Sequence, residues 1–351
     1  MSSLWQDLGH VVQEHWSRQR LRVAQRRLRE DTIRLAIERA VDQANPRIRG
    51  LNGYRNRLHD TVAGCLDYCE ELAWRIPGPV TVSPKTWSSD PLLRALFSDP
   101  SRIRWELASS DCRDYMERTA LKTSDCYAIL LAQPAFRKQL GMDLSGETLQ
   151  RDIAQTTLSF ENIEVVLCAG SPEAVRTRTA QAIMDALVGF AAQEIGRQEA
   201  RISELEDGLR IMRIKQKVLS PATHGLEILR DGGSAHTTEY LITGRQVHEL
   251  ERELAEAHQG LTTLNDYLER LAALLEHPTA LIAARPERVR LDRLNIVRPD
   301  RKGASDTTEI EFMRAYRGER AGRMVLMVRF ARADLITDQE RERQAERYVN
   351  A

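Results

Sequence analysis

The sequence predicts an α+β protein in which helices predominate, with a long antiparallel coiled-coil helical hairpin on a small mixed body and a C-terminal antiparallel sheet. Three observations lead to this class: two heptad tracks in adjacent long segments, a β-rich stretch near residue 160, and alternating apolar residues after Pro286. The same patterns divide the chain. The predicted segments are an N-terminal helical region at 1–76, a mixed α/β body at 77–170, the hairpin arm at 171–278, an antiparallel sheet at 286–336 that packs with the body, and a charged helical tail at 337–351.

Two helices are predicted in the N-terminal region, one from residue 4 to about 43 and one from 54 to 75. The first ends before Asn45-Pro46, because the residue before a proline is displaced from helical geometry. Four arginines recur near one face of this helix at steps of three and four: Arg18, Arg22, Arg26 and Arg29. Such a face could follow phosphates or an anionic lipid surface. The alternatives are that this face is solvated or that it pairs with an acidic partner helix. They are favoured because acidic residues follow the arginines directly and no aromatic residues alternate with the arginines.

A β-hairpin is predicted in the mixed body. Residues 156–160 and 163–167 have strand character, and Glu161-Asn162 between them fits a tight turn. Upstream, the run at 126–131 fits either a buried strand or a turn of helix, and periodicity alone cannot separate the two. The region 90–140 is otherwise expected to hold short helices.

The C-terminal strands are predicted from a change to period-two alternation. They fall within 288–331, with turns near 298–306 and 317–323. Because an antiparallel arm returns the chain to its starting point, we expect these strands and the pair at 156–167 to lie together in one body.

The arm is predicted from two heptad tracks, each of which must pack against another helix. Ser171-Pro172 opens the first helix, with a serine cap and proline at the first helical position. The predicted seam residues are Met184, Val188, Ile195, Ile202, Leu205, Leu209, Met212, Val247, Leu250, Leu254, Leu261, Leu264, Leu268, Leu271 and Leu275. An antiparallel register with Leu219 opposite Tyr240 matches seam with seam and makes an arm of roughly 55 Å.

The second arm helix is expected from about 239 to 276. The alternative is that both helices are core helices of a bundle, which Ala272 and Leu274 favour by widening the apolar face. The connection at 220–238 contains three apolar residues, Leu226, Ile228 and Leu229. They either present a contact at the arm tip or close the end of the coiled coil.

Composition and charge exclude several classes of protein. The chain has 351 residues, and its 51 basic and 51 acidic side chains balance, so no global charge favours nucleic acid or an anionic surface. No apolar run approaches the roughly 20 residues that span a bilayer. The first residues include Asp7 and Glu14 and do not resemble a signal peptide. Five cysteines, an odd number, suit reduced thiols, and we expect a cytoplasmic protein.

The cysteines are candidate metal ligands. Cys65 and Cys69 lie one helical turn apart with His59 nearby, and Cys112 and Cys126 end two similar tetrapeptides. Converging thiolates and imidazoles would suit a soft metal. However, the usual C-x2-C spacing is missing, and these positions fit small apolar core residues equally well. We therefore expect no metal site.

Sequence signatures of catalysis are missing. The chain contains no P-loop, no dinucleotide-binding glycine fingerprint, no nucleophile elbow and no H-E-x-x-H motif. Four histidines lie on the predicted arm or its connection, where a general base would be poorly buried: His224, His236, His248 and His258. No catalytic residue and no cofactor is predicted.

These patterns favour a non-enzymatic cytosolic scaffold or adaptor that assembles with itself or with a protein partner through coiled-coil and helical faces. Two other functions remain open at this point. One is binding of nucleic acid or an anionic membrane through the arginine-rich helix, and the other is an unrecognised enzymatic activity in the mixed body.

Overall fold

The computed structural model describes residues 26–118, 124–145, 148–220, 234–298, 307–318 and 322–336. The chain divides into two compact units. The first combines Met1–Leu66 with Asp185–His277, and the second combines Asp67–Met184 with Pro278–Ala351. The predicted α+β class is confirmed, since long helices accompany a curled, mainly antiparallel sheet. The finer division into five segments stays a prediction.

The helices and strands have the following bounds. In chain order the helices are α1 (described from residue 26 and ending at 44), α2 (Tyr54–Arg75), α3 (Pro91–Leu96), α4 (Pro100–Leu107), α5 (Ser110–Arg118), α6 (Pro172–Val218), α7 (Ser234–His258), α8 (Leu264–Glu276) and α9 (Pro278–Leu281). The strands are β1 (Val80–Thr81), β2 (Asp125–Ser145), β3 (Thr148–Ala169), β4 (Ile282–Leu291), β5 (Thr308–Arg317) and β6 (Arg323–Ala331).

The first unit is helical. Helix α1 ends before Asn45, whose side-chain oxygen accepts a hydrogen bond from the Arg47 amide at 3.1 Å. Helices α1, α2, α6 and α8 lie side by side. The contacts that join them are Arg39 with Asp185 at 3.1 Å, Arg55 with Glu38 at 2.7 Å, Tyr267 with Glu199 at 2.7 Å, and the Cys65 thiol with the Leu275 carbonyl at 2.8 Å. Apolar residues of all four helices are buried, as in a helical bundle.

The prediction of one continuous second arm helix at 239–276 is wrong. The chain leaves helical geometry after α7, at Gly260, whose φ of +82° is in the left-handed region that glycine tolerates. Thr263 then caps α8 in a reciprocal box with Asp266. Leu261 lies between α7 and α8 and is buried, so the apolar heptad track continues from one helix into the next. Helix α7 has 25 residues, about 38 Å, which is shorter than the predicted 55 Å arm.

The second unit contains one sheet with the strand order β3-β2-β6-β5-β4. β1 pairs with β6 in parallel, and the remaining pairs are antiparallel. After β4, the segment that contains Ile296 bridges to Thr157 of β3, and the Val297 amide donates to the Thr156 carbonyl at 2.7 Å. The two ends of the sheet therefore approach each other. The expectation that the C-terminal strands join those near residue 160 is confirmed, since β2 links β3 to β6.

The prediction of a hairpin at 156–167 with a tight turn at Glu161-Asn162 is wrong. Glu161 and Asn162 lie inside the 22-residue strand β3, which pairs along its length with β2. Asn162 has a φ of +50°, and the β2–β3 register shifts beside it. Asparagine tolerates the left-handed region, so the residue that suggests a turn here forms a bulge. Likewise, residues 126–131 belong to β2, a strand that replaces the short helices expected up to residue 140.

The two faces of the sheet are buried against different partners. Along β6, Met324, Leu326 and Val328 face the core that α3, α4 and α5 complete, while Val325 and Met327 belong to a second cluster with the start of α6. This explains the continuous apolar run of β6, since a strand covered on both faces does not alternate with polar residues.

Candidate interaction surface

In the first unit, α7 packs antiparallel beside the C-terminal half of α6. Ion pairs cross between the two helices along their length. They join Arg201 with Glu253 at 2.9 Å, Arg213 with Glu251 at 2.7 Å and Lys215 with Glu239 at 3.1 Å. All six side chains are well exposed, so these pairs orient the helices more than they stabilise them. The stabilising contacts are those of buried apolar residues, among them Leu205, Leu209 and Val247.

Every residue predicted for the seam is buried or half-buried. The buried ones are Met184, Val188, Ile195, Leu205, Leu209, Val247, Leu261, Leu268, Leu271 and Leu275, and the half-buried ones are Ile202, Met212, Leu250, Leu254 and Leu264. Those of α8 lie in the four-helix part of the unit. The alternative of a helical bundle therefore describes α8, and coiled-coil geometry for α6 with α7 stays a prediction.

The opposite side of α6 carries a second set of apolar residues that the sequence analysis missed. Ile211, Ile214 and Val218 are 62%, 61% and 56% exposed. Their spacing of three and four residues places them on one face of the helix. At the same end of the helix pair, α7 exposes Leu241 and Ile242. Isolated exposed apolar residues are ordinary, but a row of them along one helix marks a surface that another protein surface can cover.

A groove of about 500 Å³ runs beside this row. Its apolar lining comes from Leu209, Ile214 and Leu254, and charged side chains border it: Glu206, Arg210, Arg213 and Lys217. Ile214 therefore belongs both to the groove and to the exposed row. Apolar lining between charged borders is typical of a groove that accepts a helix.

The other residues predicted for interaction are only partly described. Arg18 and Arg22, the arm-tip residues Leu226, Ile228 and Leu229, and the tail at 337–351 lie outside the described residues. Arg26 is exposed, whereas Arg29 is half-buried. Near them Asp31 pairs with Arg34 at 2.8 Å. Polyanion binding by this helix stays a prediction.

The cysteines occupy the core. Cys65, Cys69, Cys112, Cys126 and Cys168 are all buried and free. The structure brings Cys112 and Cys126 together with Cys168 of β3, a grouping that was not predicted from the sequence. Hydrogen bonds from Cys168 lower the pKa of Cys112 and of Cys126, and the same bonds raise the pKa of Cys168. Within the described part of the chain, no group of three or more His, Cys, Asp or Glu side chains is arranged to hold a metal ion.

We expect the five thiols to be inert in the folded protein because all five are buried away from a reagent in solution. Burial raises the pKa of Cys65 to about 11, so its reactive thiolate is scarce at pH 8. A disulfide-exchange reagent at pH 8 should react with native protein at least about 100-fold more slowly than with protein in urea, because exposure requires opening of the core. Rapid reaction of one equivalent of thiol in the native state would contradict this.

A depression of about 580 Å³ lies beside the start of β5. Its polar side chains already have structural roles. Asp90 accepts hydrogen bonds from the first amides of α3, and Glu309 pairs with Arg290 at 3.2 Å. A general acid or base needs a carboxylate free to meet a substrate. The depression therefore offers no support for catalysis.

None of the helices in the described ranges combines the length and apolar character needed to cross a membrane. Comparison with known proteins gave no match to a protein family, a curated protein or a solved structure.

Proposed function

We propose that this protein is a non-enzymatic scaffold or adaptor that assembles through the exposed outer face of α6. One observation carries the proposal: Ile211, Ile214 and Val218 form an apolar row on a helix whose other side is already packed against α7. Burying a side chain of this size contributes about 1.5–3 kcal/mol, so covering the row stabilises an assembly. In this proposal α6 and α7 form a coiled-coil pair, and the protein is cytoplasmic, which its buried free cysteines support.

Replacing Ile211 and Ile214 with glutamine tests the proposal. Both side chains are exposed and glutamine favours helices at least as well as isoleucine, so the melting temperature should stay within about 2 °C. Assembly should weaken by about 100-fold, because the double variant removes most of the apolar row. Light scattering after size exclusion measures self-assembly, and recovery of bound protein on affinity-tagged chain measures a partner.

The matched control is Leu28→Gln with Leu35→Gln on α1. These leucines are 70% and 59% exposed, lie seven residues apart and have the same chemistry. Their replacement should leave assembly unchanged. If the wild-type chain is a monomer that recovers no partner, or if only the α1 variant loses assembly, the proposal is wrong.

A further inference from the structure

The exposed face of α6 carries charges in addition to its apolar row. Starting at Glu204, steps of four, three and four residues reach Gly208, Ile211 and Lys215. Such steps return to one side of a helix, so these residues share the face of Val218. The face therefore carries Glu204, which pairs with Arg201, at one end of this stretch, Gly208 and Ile211 at its centre, and Lys215 at the other end.

Gly208 has no structural reason within the described chain. A Cβ built at this position would meet no atom of the described structure within 4 Å, so packing does not require glycine there. A glycine inside a helix is less favourable than alanine. The usual benefit of such a glycine is that another backbone or a large side chain can come close to the helix at that position.

On the basis of the proposed function, we propose that the surface that covers this face is α6 of a second copy of the chain, in antiparallel orientation. The two-fold axis passes between Gly208 and Ile211. Ile211 of each copy then lies over Gly208 of the other, and Glu204 of each copy faces Lys215 of the other. A two-fold axis makes every contact twice, which suits a self-complementary surface.

The antiparallel direction of pairing is favoured both by the fit of Ile211 over Gly208 and by charge. In a parallel pair, Glu204 would face Glu204 and Lys215 would face Lys215, and like charges at a contact are unfavourable. In the antiparallel pair, opposite charges meet. Within one chain, Glu204 pairs with Arg201 and Lys215 pairs with Glu239, and these side chains are 48–73% exposed. These pairs do not prevent Glu204 and Lys215 from pairing between copies. Exposed ion pairs contribute little and exchange partners readily.

The test is disulfide cross-linking of the full chain. In the variant Glu204→Cys/Lys215→Cys, mild oxidation should give at least tenfold more covalent dimer than in either single variant, about the excess expected for sites held in register. The two positions are about 16 Å apart along one helix, which is too far for a bond within one chain. The wild-type chain, whose thiols are buried, is the background control.

The outcomes separate the inference from the function on which it rests. Cross-linking of the single variants as efficient as that of the double variant would mean parallel pairing and overturn the inference. Absence of cross-linking in a chain that still assembles through Ile211 and Ile214 would also overturn the inference. The proposed function would stand in that case. A wild-type chain that neither self-assembles nor recovers a partner would contradict both.

Gly208→Gln provides an independent measurement. Because the space beside Gly208 is open in the single chain, the variant should fold with an unchanged or higher melting temperature. Its dimer should be about 100-fold weaker, since the side chain occupies the place of Ile211 of the second copy. Gly196→Gln, also open and outside the paired part of α6, should dimerise normally. A Gly208→Gln chain that dimerises like wild type would overturn the inference.

Discussion

Phe312→Ala should lower the free energy of unfolding by about 3–5 kcal/mol. Phe312 of β5 is fully buried, and its ring meets that of Phe160 edge to face, with centroids 5.6 Å apart and an interplanar angle of 83°. Alanine would remove this contact and leave a cavity in a closely packed core. Urea unfolding followed by tryptophan fluorescence measures the loss, since Trp87 packs against the same core.

Phe136→Ala is the control for this measurement. Phe136 lies on β2 and is 43% exposed, so truncation should cost about 0.5–1 kcal/mol. Equal losses in the two variants would show that Phe312 is not part of a packed core.

Gly78→Ala should lower the free energy of unfolding by at least about 2 kcal/mol. Gly78 has a φ of +115°, which side chains other than glycine rarely adopt, and an added Cβ would lie 2.3 Å from the Met327 carbonyl oxygen. The contact cannot relax by rotation of a side chain, because the opposing atom belongs to the backbone of β6. The same approach lets the Met327 amide donate to the Pro77 carbonyl at 3.0 Å. Thermal unfolding followed by circular dichroism measures the effect.

Gly64→Ala supplies the matched control with the opposite sign. Gly64 lies inside α2, and a Cβ there would meet no described atom within 4 Å. Alanine in a helix interior is more favourable than glycine by about 0.5–1 kcal/mol. The melting temperature should therefore rise. A decrease in both variants would indicate that glycine replacement in general, rather than the close approach to β6, is responsible.

The sequence predicted elements whose signals are local. Asn45-Pro46 ends α1, and Ser171-Pro172 begins α6, with the Ser171 hydroxyl accepting a hydrogen bond from the Ala174 amide at 3.2 Å. These signals act within one helical turn, so they can be recognised in the sequence without knowledge of distant contacts. The seam of α6 was also predictable, because burial on one side of a long helix repeats with the helical period.

Other features depended on distant partners. Asn162 tolerates the left-handed region in a turn and in a bulge alike, and only the presence of β2 along the whole of β3 decides between them. The break at Gly260 was obscured because apolar residues continue on both sides of it, although Thr263 and Asp266 gave a local sign of a new helix. Cys168 reaches Cys126 through the pairing of β3 with β2 and reaches Cys112 through the packing of α5 on β3, and the spacing of the cysteines in the sequence reveals neither contact.

The outer face of α6 was missed for a different reason. The heptad track through Leu205 and Leu209 was sufficient to assign the helix, so a second track through Ile211 and Ile214 carried no additional information about secondary structure. The two tracks differ only in the solvent exposure of their side chains, and that exposure can be known only once the position of α7 is known. The candidate surface could therefore be found from the structure and not from periodicity alone.

The discontinuity of the two units has a consequence for biosynthesis. The thiol of Cys65 and the carbonyl of Leu275, which contact each other in the first unit, are 210 residues apart in the chain. At a synthesis rate of about 5–20 residues per second, α2 leaves the ribosome about 10–40 s before α8 is made. During this interval the apolar sides of α1 and α2, including Ile37 and Leu58, lack the helix that completes their core. The nascent chain should therefore bind chaperones until residue 277 has emerged.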